Sequence, residues 1–155
     1  MKHTKLIILF ISLLLITACG NKTDTTDTIE NIEFFEYVDM AVSAEVVYED
    51  NMGSTDELLA DFLKIDESDV QEISDVDTEQ MDFSLYLYRS PRRSDVLYRL
   101  QFYKDGAKDD LSDELKVHAY KYLTTGEPVE ANFVITDKEF IEELDEACEL
   151  IYEYL

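Results

Sequence analysis

All four arginines of the chain, Arg89, Arg92, Arg93 and Arg99, fall between positions 89 and 99. A guanidinium can meet a carboxylate or phosphate through two parallel N–H donors. This stretch is therefore where an otherwise acidic chain could contact an anion. Tyr86, Tyr88 and Tyr103 are interleaved with it. Tyrosine offers a broad apolar ring with a polar tip, and Tyr and Arg are enriched at binding hot spots. The chemistry these residues suggest is recognition. Each also has a plainer role open to it. The arginines can offset neighbouring acids or guard a hairpin edge, and the tyrosines can stabilise a sheet by packing across strands.

Catalytic chemistry has little to work with. Beyond the first eighteen residues the only histidine is His118, and neither G-x-S-x-G, H-E-x-x-H nor a phosphate-cradling glycine loop occurs. Asp105, Asp109, Asp110, Asp113 and Glu114 are dense but lack the ligand spacing of a calcium loop. Cys148 lies on an apolar helical stripe beside Glu146 and Glu149, a setting that suits a core thiol better than a nucleophile. The expectation is a protein that is not an enzyme, with no cofactor and no metal site.

The N-terminus carries a clearer instruction. Lys2 and Lys5 precede an apolar run from Leu6 to Ile16, followed by the small residues Thr17 and Ala18. That is the order of a secretory signal peptide. The run is shorter than the ~20 apolar residues needed to cross ~30 Å of hydrocarbon. Ile16-Thr17-Ala18-Cys19 resembles the lipobox of bacterial lipoprotein precursors. The resemblance implies that Cys19 receives a diacylglyceryl group and becomes the first residue after cleavage. It leans towards a Gram-positive envelope, where Gly after the Cys and a short polar tether are common. A Gram-negative source is also compatible. Residues 1–18 are then the signal peptide, 19–28 a lipidated polar tether, and 29–155 one acidic globular domain. The tether spans ~30 Å when fully extended.

Charge decides what must hold such a domain to a membrane. The chain has 13 Lys+Arg against 36 Asp+Glu, and removing residues 1–18 takes away two lysines and no acid. A surface of that sign repels anionic headgroups and excludes nucleic acid as a partner. Attachment must come from lipid, and two acyl chains anchor stably where one does not. With Cys19 acylated, Cys148 has no cysteine left to pair with, so the fold stands on packing.

Several elements must position these residues. Phe35, Val38, Val42 and Val46 recur at helical spacing, which predicts a helix over residues 28–49. Val42, Ala44, Val46 and Tyr48 also alternate, so its second half is open to an extended reading. Ser54 or Thr55 caps a short helix through Leu63. Residues 66–80 read as an acidic loop with a short strand at 70–76. Phe83–Tyr88 and Val96–Tyr103 alternate with period two and form a hairpin around Ser90-Pro91. Residues 110–124 fit either a helix or a strand, with a lean to strand over 116–123, and residues 129–135 form a further strand. Thr136 and Glu139 make a capping box for a last helix with Phe140, Leu144, Cys148 and Ile151 on one stripe. The expected fold is α+β in two layers: a mainly antiparallel sheet of three or four strands, packed by N- and C-terminal helices. On the strand reading of residues 116–123, His118, Tyr120 and Tyr122 join Tyr86, Tyr88, Tyr103 and Arg99 on the face turned from the core.

The functional expectation is a non-enzymatic binding module on the outer face of the cell membrane, held by its lipid. Alternatives within that class are an immunity or exclusion lipoprotein that intercepts a cationic peptide, or one that docks on an envelope protein complex.

Overall fold

Phe83, Leu85 and Leu87 alternate with Ser84, Tyr86 and Tyr88. Tyr98, Leu100 and Phe102 alternate in the same way with Arg99 and Gln101. Such a pattern buries one side only when the chain is extended. These residues form β4 (Phe83–Tyr88) and β5 (Val96–Phe102), an antiparallel pair with a bulge at Leu87/Tyr88. The computed structural model describes residues 27–104 and 109–152, and around this hairpin it builds one seven-stranded sheet in the order β2-β1-β4-β5-β6-β7-β3. The remaining strands are β1 (Ser43–Tyr48), β2 (Asn51–Gly53), β3 (Val70–Ile73), β6 (Leu115–Lys121) and β7 (Val129–Ile135). Every neighbouring pair is antiparallel. The signal peptide and Cys19 lie outside the described residues.

The expectation of three or four strands flanked by terminal helices is corrected twice. The sheet has seven strands, and the N-terminal helix over 28–49 does not form. Three 3-10 turns (Ile29–Asn31, Glu33–Phe35, Val38–Met40) lead into β1 instead. The reason is non-local. Ser43–Tyr48 pairs along the whole length of β4, and Val46 and Val47 are β-branched residues that suit a pleated surface. The tight turns bury Ile29, Phe35 and Val38 just as a helix would have done. The two edges, β2 and β3, are only three and four residues long, and β3 falls inside the short strand read at 70–76.

One face of the sheet is covered. Helices α1 (Leu58–Lys64) and α2 (Lys138–Tyr152) and the 29–40 segment lie over Ala44, Val46, Leu85, Leu87, Leu100, Ala119, Phe133 and their neighbours, all in one buried cluster. Phe35 contacts the rings of Phe62, Tyr98 and Phe133 at centroid distances of 5.9, 5.4 and 5.1 Å. Fully burying a side chain of this size contributes about 1.5–3 kcal/mol. Tyr98 also satisfies polar backbone in the irregular segment: its hydroxyl donates to Phe34 O at 3.0 Å and accepts from the Tyr37 N–H at 3.3 Å. Burial pushes that hydroxyl up to about 12. Lys121, on the same face of β6, reaches Glu33 O and Glu36 and lies over the rings of Phe34 and Tyr37. Together Tyr98 and Lys121 hold a segment that has no ladder of its own.

The helix starts follow local chemistry. Thr55 Oγ1 accepts the Leu58 N–H at 3.1 Å, as the short-helix reading requires. At α2 the capping box from Thr136 is replaced. Asp137 Oδ1 accepts the Phe140 N–H at 2.9 Å, while the Thr136 hydroxyl turns to Asp69. Gly53 lets β2 pass against α2, since a Cβ there would lie 2.2 Å from Ala147 O. Lys104 is buried against Asp145, which also accepts the Leu111 N–H at 3.1 Å. At the chain's entry, Thr28 bridges Asp66, Ile29 N–H donates to Ile65 O at 2.8 Å, and Glu67 N–H donates to Asp27 O at 2.9 Å.

Candidate functional site

Among the described residues no helix lies over the second face of the sheet. Residues that alternate with the core positions point there, and the register sets them in rows. One row crosses five strands as Glu45, Tyr86, Arg99, Tyr120 and Glu130. A second runs Val47, Ser84, Gln101, His118, Asn132 and Ile73. Adjacent strands lie about 4.8 Å apart, so facing side chains in a row touch.

Arg99 is at the middle of the first row. Its guanidinium carbon lies 5.5 Å from the ring centre of Tyr86 and 5.7 Å from that of Tyr120. Its Nε donates to Ser84 Oγ at 3.1 Å. It is held by two rings and one hydroxyl, and no ion pair forms on it among the described residues. The flanking tyrosines continue along their strands. Tyr86 stacks on Tyr88 at 5.9 Å with 17° between planes, and Tyr120 on Tyr122 at 6.4 Å and 30°. His118 meets Tyr120 edge-on at 4.7 Å and shares a 2.7 Å hydrogen bond with Asn132 Oδ1. Burial raises the Tyr120 hydroxyl above its ordinary value, helped by the charge of Glu130.

The other arginines are spent differently. Arg93 sits in the turn after Ser90-Pro91-Arg92 with φ 56°, a left-handed conformation that costs roughly 1–2 kcal/mol for a side-chain-bearing residue. In return its guanidinium pairs with Glu45, which is only 3% exposed. Tyr88 donates to the other oxygen of Glu45 at 3.2 Å. Burial first, and then the Glu45 carboxylate, push the Tyr88 hydroxyl up to about 12. Arg89 is held by Asp95 at 3.3 Å and Tyr122 O at 3.0 Å, beside a hollow of about 500 Å³ that Tyr37, Met40 and Leu123 also line. Arg92 is exposed at the tip. Tyr103 follows the end of β5 and is 45% exposed.

The seven candidate residues therefore do not converge. Tyr86, Tyr88 and Arg99 come together, joined by His118, Tyr120 and Tyr122 now that 115–121 is a strand. Arg89 meets the group only at the Tyr122 carbonyl, Arg92 lies at the hairpin tip, and Tyr103 follows the end of β5. Arg93 stands next to the group through Glu45. Sequence reasoning missed Glu45 as a member of this face, while the alternation of β4 already turned Ser84 the same way as Tyr86 and Tyr88. The alternation of Val42, Ala44, Val46 and Tyr48 was the available signal for Glu45, because it turns residue 45 away from the core.

On the covered side, Cys148 is buried in the stripe of α2, and burial pushes its thiol up, away from the nucleophilic thiolate. Among the described residues no cluster of potential metal ligands forms, and no helix is long and apolar enough to cross a membrane. Neither a family model, nor a curated protein, nor a solved structure matches the chain.

Proposed function

We propose that this protein is a lipid-anchored, extracytoplasmic, non-enzymatic binding protein whose uncovered sheet face receives a protein partner of the cell envelope. The observation that supports it best is the composition of that face. Tyr86 and Tyr120 flank one arginine that lacks a counter-charge among the described residues, and Tyr88 and Tyr122 stack against them. Rigid aromatic area with a polar tip loses little side-chain entropy when a partner covers it. The anchor rests on the lipobox residues 16–19 and on the acidic charge that rules out electrostatic attachment.

Two measurements test the proposal. Fatty-acid labelling of cells should mark the wild-type protein and not Cys19→Ser, which should be released from membranes. A photo-crosslinker at position 120 should trap a discrete envelope protein, and one at exposed Glu142 on α2 should not. Labelling that persists in Cys19→Ser removes the anchor. Equal trapping at both positions removes the face.

A second reading, interception of a cationic peptide, has support of its own on the opposite side. There Asp110, Asp113, Glu142, Glu146 and Glu149 rim a groove with Leu111 and Ile141 in it. Such a surface would raise the local concentration of basic peptides, with an affinity that falls steeply with salt. Reversing Glu142 and Glu146 to lysine should abolish capture of a basic amphipathic peptide on this reading, and leave partner trapping unchanged on the first.

A further inference from the structure

We infer that Arg99 is the anchor of a carboxylate-binding site on the open sheet face, and that the partner presents an Asp, Glu or C-terminal carboxylate to it. This rests on reading that face as the binding face, and it adds the chemistry of what binds. The chain carries 36 Asp and Glu against four arginines, yet Arg99 has no acid paired with it among the described residues. The register explains why. In its row a tyrosine separates it on each side from Glu45 and Glu130. Both glutamates are engaged elsewhere, Glu45 with Arg93 and Tyr88, and Glu130 with His118 at 3.5 Å.

The Tyr86 and Tyr120 rings flank the guanidinium carbon at 5.5 and 5.7 Å, and Ser84 takes Nε. The edge bearing the terminal nitrogens remains. A carboxylate fits a guanidinium edge through two parallel hydrogen bonds, and the Tyr86 and Tyr120 hydroxyls are side-chain donors on the same row. A guanidinium already held by a hydrogen bond to Ser84 between two flanking rings loses little further freedom on binding. A partly buried cation without a counter-ion is costly to keep, and a planar monoanion supplies the missing charge. A phosphate dianion would meet stronger repulsion from the surrounding acidic surface.

The test uses the full-length lipidated protein in detergent micelles with ¹⁵N-labelled arginine. Four arginines give four side-chain Nε signals, assignable by single Arg→Lys substitutions. Sodium acetate is titrated at constant ionic strength, with sodium chloride and inorganic phosphate in parallel. The expected result is a saturable shift of the Arg99 signal with acetate, half-complete on the order of tens of millimolar. Tyr86 and Tyr120 ring signals should move with it, and Arg99→Lys should weaken that shift of the tyrosine rings at least tenfold. An Arg99 signal that does not move with acetate overturns the inference, as does one that moves equally with chloride or phosphate. The wild-type titration decides this even if the variant folds poorly. Failure here alongside specific crosslinking from position 120 removes the carboxylate and leaves the binding face. Success here without crosslinking removes the protein partner and leaves the site.

Discussion

At the scale of single residues, the fold depends on a few placements that admit no substitute. Gly53→Ala drives a Cβ into the Ala147 carbonyl. Both atoms belong to regular elements, so relief requires β2 or α2 to shift, and overpacking of this kind costs about 1–3 kcal/mol. Urea unfolding should show that loss with little change in slope. Lys104 presents a different risk. Its side chain is fully buried against Asp145 and Asp109 O, so Lys104→Ala strands a partly buried carboxylate, at a cost of about 3 kcal/mol. The double variant Lys104→Met, Asp145→Leu should regain most of that in the same assay, because it strands no charge. Glu143 is held above its ordinary range by burial first, then by Glu146, Glu57 and Asp61, and its Oε1 is buried with no hydrogen-bond partner among the described residues. A folded-state value raised above the unfolded one means the protonated group is tolerated and the ionised group is penalised. Its contribution to stability is complete in acid and is lost as pH rises through the raised value. Glu143→Gln should therefore raise the unfolding midpoint at neutral pH. The gain should vanish around pH 4, the ordinary carboxylate range.

At the scale of elements, the N-terminus of α2 separates two caps that the sequence offers side by side. Thr136 and Glu139 have the spacing of a capping box, but Asp137 makes the bond to Phe140. Asp137→Ala should cost about 1 kcal/mol in chemical denaturation, and Thr136→Ala clearly less. The same competition explains what was legible. β4, β5 and β7 could be read because each alternates within its own residues, and α2 because its stripe is continuous. β3 could be read only as a short strand at 70–76, of which Val70–Ile73 forms where β7 offers an edge, and β2 could not be read at all, since Asn51–Gly53 is too short to carry a period and is a strand only because β1 offers it an edge. The stretch 29–48 misled for a related reason. Its apolar spacing fits a helix, but pairing with β4 outweighs that local preference. The central part of the open face was legible as Tyr86, Tyr88 and Arg99. Its other half depended on reading 115–121 as a strand, and its isolation of Arg99 depended on a register that no local pattern encodes.

At the scale of the whole molecule, the two sides of the sheet differ in kind. One is a packed layer whose outer helix carries Glu139, Glu142, Glu146 and Glu149. The other carries no helix among the described residues and presents tyrosines and mixed charge. The clasp at the chain's entry bears on how such a body would hang from a lipid. Asp27, Thr28 and Ile29 are laced to Ile65, Asp66 and Glu67, the link between α1 and β3. A tug transmitted from an embedded acyl group would first load those few amide contacts at the rim. The central strands β4, β5 and β6 would stay out of the line of force, so the platform of tyrosines would keep its shape while the tether is stretched.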